Sequence, residues 1–453
     1  MPEFVSRELA GWGRFPIQCC QVTRPEKRRE LFDAAQSRDV VDVIARGLGR
    51  SYGDAAINQG SGVILGEKLD RFLDFDSLTG VLHAEGGASF ADIVETFVPR
   101  GFFLSVAPGS KHITLGGAIA CDVHGKNHHR VGAISNFIEE IELLTANGKT
   151  LVCSREENAD VFWATLGGMG LTGVIVSAKM RLMPVESAWI ETKYTRTSDL
   201  AATLAAFEQG ADAEYSVAWI DCLSTGTNLG RSVVIEGAHA TGQRALQEIK
   251  GDIMDLEMPK QKGVPIDLPD FVLNSWTVKK FNDFYYANHP TESKLTSFET
   301  FFYPLDKVEN WNKIYGSRGF VQYQCVVPLD NVEATLTHLL ETIAASGQAA
   351  FLAVLKRMGK ADNAPLGFAL DGYSLALDIP MTPATVEFCQ QLDEITVAAG
   401  GRVYLAKDAT TTPENFRVMY PRLGELEAVK RHIDPDDRFA SSLSRRLKVG
   451  VTF

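Results

Sequence analysis

The chain lacks a basic excess. Its 45 Lys and Arg stand against 57 Asp and Glu, a formal net charge of -12, which argues against nucleic acid as a partner because phosphate neutralisation needs a basic face. It lacks long apolar runs: nothing approaches the ~18 consecutive apolar residues of a membrane-spanning helix. The opening Met1-Pro2-Glu3-Phe4-Val5-Ser6-Arg7-Glu8 sets charges where a secretory signal would have its apolar core. These absences predict a cytoplasmic protein, at most peripheral to a membrane. Cysteines number seven, odd and scattered, which suits reduced thiols better than a disulfide framework. Neither H-E-x-x-H nor paired C-x-x-C occurs, so Cys121, Asp122, His124, His128 and His129 are not read as a metal site, and Lys126 among them disfavours a cation.

What is present is glycine in three stretches. Arg46-Gly47-Leu48-Gly49-Arg50-Ser51-Tyr52-Gly53-Asp54 follows the apolar run 40–45. A strand that ends in closely spaced glycines exposes a row of backbone N–H groups, a nest suited to a diphosphate. The second stretch runs from Pro108-Gly109 through Gly116-Gly117 to His129, and the third is Gly167-Gly168-Met169-Gly170-Leu171-Thr172-Gly173. Together they predict a grip on a large dinucleotide, read as FAD.

Two other motifs compete. Gly168–Gly173 matches G-x-G-x-x-G, but that fingerprint needs a strand before it and a helix after it. Here helix-like 159–166 precedes and a strand at 174–180 follows, so a Rossmann NAD site is rejected. Gly49-Arg50-Ser51-Tyr52-Gly53 matches the G-x-S-x-G nucleophile elbow, yet Asn58, Gly60 and Gly62 come too soon for the helix an elbow requires.

At 453 residues two domains are expected, with a boundary near 184–187 where glycine thins out. Mixed strand and helix traffic predicts an α+β fold. Helices are expected over 26–37, 90–98, 198–209 and 331–345, with another begun by Thr382-Pro383 and ended by Gly400. Residues 258–290 carry four prolines and many aromatics without a clear period, and read as a long binding loop or lid. The alternating strand 320–327 puts Gln322 and Gln324 on one face, and a strand over 402–406 delivers Lys407. From composition alone, Lys407-Asp408 is as well read as a surface pair.

With these stretches in hand, the chain resembles the FAD-linked oxidases of the vanillyl-alcohol-oxidase type through nearly its whole length. The most specific markers are 47–54, 121–129, 170–173, Gln322-Tyr323-Gln324 and Ala406-Lys407-Asp408. The resemblance implies a two-domain fold: an FAD domain at 1–186 completed by 402–453, and an antiparallel-sheet substrate domain flanked by helices at 187–401. It implies that Arg46, Gly47, Leu48, Gly49, Arg50, Ser51, Tyr52, Gly53, Gly109, Thr114, Leu115, Gly116, Gly117, Cys121, Asp122, Val123, His124, Ile175 and Tyr404 hold FAD. Many relatives attach the flavin through a histidine in the first loop; Arg50 stands there, which predicts non-covalent FAD. The flavin would face Tyr52, His124, Lys126, Gln324 and Lys407 as the catalytic set.

Within the family the likeness is to members that oxidise the C2 hydroxyl of a polyprenyl-phosphoryl β-D-ribose to the 2-keto sugar, the first half of epimerisation to arabinose. That implies an NAD(P)H-dependent short-chain reductase as partner and membrane contact through the aromatic-rich 271–286. A soluble alditol or aldonolactone is the alternative substrate. Ala376 replaces a cysteine of the best-known members, which would leave the pocket inert to thiol-directed inhibitors. Phe302-Tyr303-Pro304 replaces a Tyr-His-Pro segment.

Overall fold

A computed structural model describes residues 3–256, 262–269, 273–289, 291–348 and 352–450. Residues 258–261, 270–272 and 290 of the expected long loop, Phe271 among them, lie outside the described residues. The architecture is α+β. Among the described residues, a four-stranded sheet runs Val5–Ala10, Ile17–Thr23, Gly62–Leu65, Val43–Arg46. Its last three strands pair in parallel, so Val43–Arg46 releases the chain at its C-terminal end straight into the first glycine stretch. A six-stranded sheet is built around Val174–Pro184, the strand that follows the third stretch.

The strand starts later than the apolar run suggested, because the carbonyls of Val40 and Val41 are taken by the Arg438 guanidinium at 2.8 and 2.9 Å. The chain's end thus returns to its beginning. Phe439 bridges to Val43, and buried Lys430 donates to the Leu171 carbonyl at 2.9 Å.

From Trp189 onward the chain builds an antiparallel sheet of eight described strands, ordered Lys294–Ser297, Trp189–Thr197, Ser232–His239, Tyr215–Ile220, Ala353–Met358, Gly372–Pro380, Phe320–Pro328 and Arg402–Val403. Helices Leu200–Gln209, Val332–Ala345 and Thr385–Ala398 cover one face, each burying apolar residues at helical spacing, such as Leu336, Leu339, Leu340 and Ile343. Period-two alternation sends the other side chains to the opposite face. One row there is set by register: Trp219 opposite Val354, Val354 opposite Ala376, Ala376 opposite Gln324.

Three expectations need correction. Residues Ser275–Asn288, inside the expected loop, form a helix. Asn274 caps it by accepting from the N–H groups of Trp276 and Thr277, and it is anchored by buried Val278 and by Asn282, whose amide donates to Asp221 at 2.7 Å. Its aromatics face two environments, which hid the helical period. The helix expected from Thr382 starts at Thr385, because the Thr385 hydroxyl already bonds the Thr382 N–H and the Pro380 carbonyl at 2.9 Å each. Strand pairing at 402 stops at Val403, and a turn closed by Lys407 N–H on the Tyr404 carbonyl aims Lys407 back at the first glycine loop.

Candidate active site

A cavity of about 860 Å³ opens between the glycine loops and the uncovered face of the eight-stranded sheet, near the upper end of small-molecule sites. The three glycine stretches converge on it. Arg46, Gly47, Leu48, Gly49, Arg50, Ser51 and Tyr52 line it, with Gly109, Thr114, Gly116, Gly117, Cys121, Val123, His124, Ile175 and Tyr404. Lys126, Gln324 and Lys407 complete the expected catalytic group on the same wall.

Gly53, Leu115 and Asp122 do not line it. Gly53 is a packing glycine: a Cβ there would fall 1.9 Å from the Asp408 carbonyl oxygen. Leu115 is wholly buried in the core. The Asp122 carboxylate accepts the Ser135 N–H at 3.1 Å, and burial, with the nearby Asp362 charge, pushes its pKa well up.

The first loop has the features a diphosphate needs. Among the described residues, none of the backbone N–H groups of 47–51 bonds another protein group, whereas Gly116 N–H is committed to the Gly86 carbonyl and Gly117 N–H to the Thr114 hydroxyl. Gly49 has φ +66, and a Cβ on Gly47 would meet Thr114 Oγ1 at 2.2 Å, so backbone alone forms that floor. Arg50 stacks over Trp12, 4.0 Å from its ring centroid, and its buried Nε has no partner among the described residues. These features fit a flavin dinucleotide.

The competing motifs fall to the same geometry. Helix Ala159–Thr165 precedes Gly168–Gly173 and strand Val174–Pro184 follows, the wrong order for a Rossmann turn. No helix follows Ser51 within the first loop, and its hydroxyl has no His or acid partner among the described residues. The three histidines diverge: His128 Nδ1 accepts from Gly359 N–H, His129 bonds the Ala213 carbonyl, and His124 bonds Lys356 and Gln324.

A comparison with protein families matches residues 18–154 to an FAD binding domain and residues 316–447 to D-arabinono-1,4-lactone oxidase. The chain is 37% identical to decaprenylphosphoryl-β-D-ribose oxidase of Mycolicibacterium smegmatis over 98% of both chains. It is 23% identical to alditol oxidase of a Streptomyces species over 98% of this chain and all of that one. With bovine L-gulonolactone oxidase it shares 31% identity over 39% of this chain and 40% of the other. The chain belongs to the FAD-linked oxidases of the vanillyl-alcohol-oxidase type. It is an FAD-dependent oxidoreductase.

Three lysines, Lys126, Lys356 and Lys407, line the oxidase's cavity. Lys407 Nζ sits 3.8 Å from the Tyr52 ring centroid; burial pulls its pKa down to about 8, opposed by the Asp378 charge. Lys126 donates to the Phe301 carbonyl and lies over that ring at 4.4 Å; burial pulls it to about 7. Lys356 Nζ donates to His124 Nδ1 at 3.1 Å, and burial plus the two other lysines lower it to about 7.

His124 is held on both nitrogens. With Nδ1 accepting from Lys356, a neutral ring carries its proton on Nε2, which lies 3.1 Å from the Gln324 amide. The Gln324 oxygen must therefore be turned to accept it. Burial and Lys356 push the His124 pKa well below the usual range. A neutral imidazole with both nitrogens engaged orients groups and is poorly placed to carry a substrate proton.

Sequence reading missed Lys356 and Asp378. Lys356 sits beside Arg357 in the short strand Ala353–Met358 and Asp378 in the apolar strand Gly372–Pro380, and a charge on the alternating face of a strand was the available signal. Asp378 is buried, holds Gln322 Nε2 at 2.5 Å and the Tyr315 hydroxyl at 3.2 Å, and is raised to about 7 by burial.

Proposed function

We propose that this oxidase converts the C2 hydroxyl of a polyprenyl-phosphoryl β-D-ribose to a ketone. The observation that carries the reading is the full-length likeness to an enzyme named for that substrate. The cavity wall supports it with three desolvated lysines beside an aromatic outlet. Bound FAD supplies the hydride acceptor for C2. Lys407 takes the hydroxyl proton, because a lysine near pKa 8 is partly neutral at neutral pH. Tyr52, under its ammonium, orients the amine. Lys126 and Lys356 carry the charge that meets the phosphoryl group, and His124 with Gln324 fixes the sugar's hydroxyls.

Arg50, Gly47 and the free N–H row would hold the diphosphate. With Arg50 in the first loop, the flavin is held without a covalent bond. Residues 1–186 and 402–453 would form the FAD domain and 187–401 the substrate domain, the two joined where Arg402–Val403 pairs with Phe320–Pro328.

The lipid would leave along Trp219, Tyr285 and Phe281, which line the cavity, Phe281 being 41% exposed. Helix Ser275–Asn288 then continues outward with Trp276 and Phe284, 69% and 67% exposed, an aromatic face suited to a bilayer interface. Among the described residues no helix is long and apolar enough to cross a membrane, so contact would be peripheral. The keto product needs a separate NAD(P)H-dependent short-chain reductase to reach the arabinose form.

The lactone-oxidase match over 316–447 keeps aldonolactones and alditols as the competing substrates. Mixing oxidised protein anaerobically with farnesyl-phosphoryl β-D-ribose, L-galactono-1,4-lactone or xylitol decides between them. Bleaching of the flavin band near about 450 nm by the lipid sugar alone is expected; bleaching by the polyol or lactone alone would reverse the assignment.

A further inference from the structure

Arg446 lies on helix Ser442–Leu447 and does not line the cavity. Its guanidinium grips Asp54 with two prongs, Nε to Oδ2 at 2.9 Å and Nη2 to Oδ1 at 2.7 Å. The same Nη2 reaches Asp408 Oδ2 at 2.9 Å, and Nη1 donates to the Thr411 carbonyl at 2.8 Å. Both carboxylates are buried. Asp54 follows Tyr52 by two residues and Asp408 follows Lys407 by one. One cation behind the loops therefore holds the acid next to each of two residues that meet at the cavity.

Nothing soft separates the two faces. Tyr52 N–H donates to the Ala406 carbonyl at 2.9 Å, and Gly53 leaves no room for a Cβ against the Asp408 carbonyl. Asp408 Oδ1 is fixed by the Thr410 and Thr411 N–H groups at 2.9 Å each. Two buried carboxylates that share one guanidinium repel each other once it is gone. The repulsion would act on backbone directly continuous with Tyr52 and Lys407.

We infer that Arg446 is a positioning residue for the oxidation: by clamping Asp54 and Asp408 it sets the register of Lys407 over Tyr52. The inference rests on the reading that Lys407 takes the substrate proton. If Arg446 only held the C-terminal helix in place, its loss would lower stability and leave the chemistry of each folded molecule unchanged.

R446K is the test, because an ammonium cannot fork to one carboxylate while reaching the other. In the FAD-loaded variant, flavin content is expected to match the wild type. Reduction by saturating farnesyl-phosphoryl β-D-ribose falls about 10²-fold, the scale of a misplaced catalytic group, and the pH midpoint of the rate moves upward as Lys407 becomes better solvated. Without any sugar, the flavin's midpoint potential, read by dye equilibration, falls as the lysine's charge moves away. In R446A, added guanidinium ion restores part of the reduction rate. An R446K rate within about twofold of the wild type would overturn the inference, as would loss of FAD from both variants. Wild-type protein left oxidised by the lipid sugar would defeat the substrate reading instead, and the midpoint potential would still judge the clamp.

Discussion

Two groups of lysines in this molecule, one fully buried and one half-buried along the cavity, are treated in opposite ways. Lys430 and Lys111 each have a carboxylate at 2.7 Å: Asp434 for Lys430, where the Leu171 and Phe439 carbonyls complete the shell, and Glu299 for Lys111. Lys126, Lys356 and Lys407 have no carboxylate within ion-pair distance among the described residues, and their neighbours are a carbonyl, an imidazole nitrogen and an aromatic face. The first pair is structural, its charge answered inside the protein. The cavity trio is left desolvated and unanswered, which lowers its pKa values, fits Lys407 to accept a proton and leaves the charge of Lys126 and Lys356 for a ligand.

That contrast breaks most visibly at Lys407. K407M should keep its FAD and lose flavin reduction by about 10³-fold or more in single-turnover measurements, while its thermal midpoint stays at or above the wild type, because an unpaired buried amine has been removed. K430M should behave in reverse. Leaving Asp434 buried and unpaired costs about 3–5 kcal/mol of stability in a denaturant titration, and the reduction rate of the folded fraction should not move. If K430M slowed reduction while K407M only destabilised, the division between structural and cavity lysines would be wrong.

How much of this was legible in the sequence differs between the same two regions. The glycine loops announced themselves because backbone geometry favours residue type: Gly49 at positive φ would strain a side chain, and Gly47 against Thr114 has no room for one. Gln324 was legible from strand alternation, and Lys407 from the motif that the resemblance carried. Lys356 and Asp378 were not, since Lys356 sits beside Arg357 in a short strand and Asp378 is one charge in an apolar one, and the partners of both come from distant segments. Their meaning arises only where the register sets Lys356 opposite Ser374 and Asp378 opposite Gln322. Helix Ser275–Asn288 carries no single-sided period in its sequence, because its aromatics serve both a cavity wall and an outer face.

A third, smaller effect sharpens the comparison. K356M removes the donor to His124 Nδ1 and frees the imidazole to change tautomer, so reduction should slow about 10-fold with little loss of stability. Titration adds the sign. Below about 8 Lys407 is charged and cannot accept a proton, so the reduction rate should rise with pH and level off above that value. Lys126 and Lys356 lose charge as pH rises through about 7, so the free enzyme's affinity for the phosphorylated lipid should weaken on the same climb. A binding affinity flat from pH 6 to about 9 would separate these lysines from the phosphoryl group.

The mildest test places a reporter among the cavity lysines. Ala376 lines the cavity in the row between Val354 and Gln324. The cavity's own thiol, Cys121, is pushed up to about 12 by burial, so the wild type should resist alkylating reagents at neutral pH. A thiol at 376 would face the ammonium groups of Lys126, Lys356 and Lys407, whose field favours thiolate. A376C should therefore keep its flavin and most of its activity, yet take up one equivalent of iodoacetamide, with faster labelling than Cys121 shows at the same pH. Labelling no faster than that of Cys121 would mean the trio is largely uncharged in the resting cavity, and the phosphoryl role would then fall to other groups.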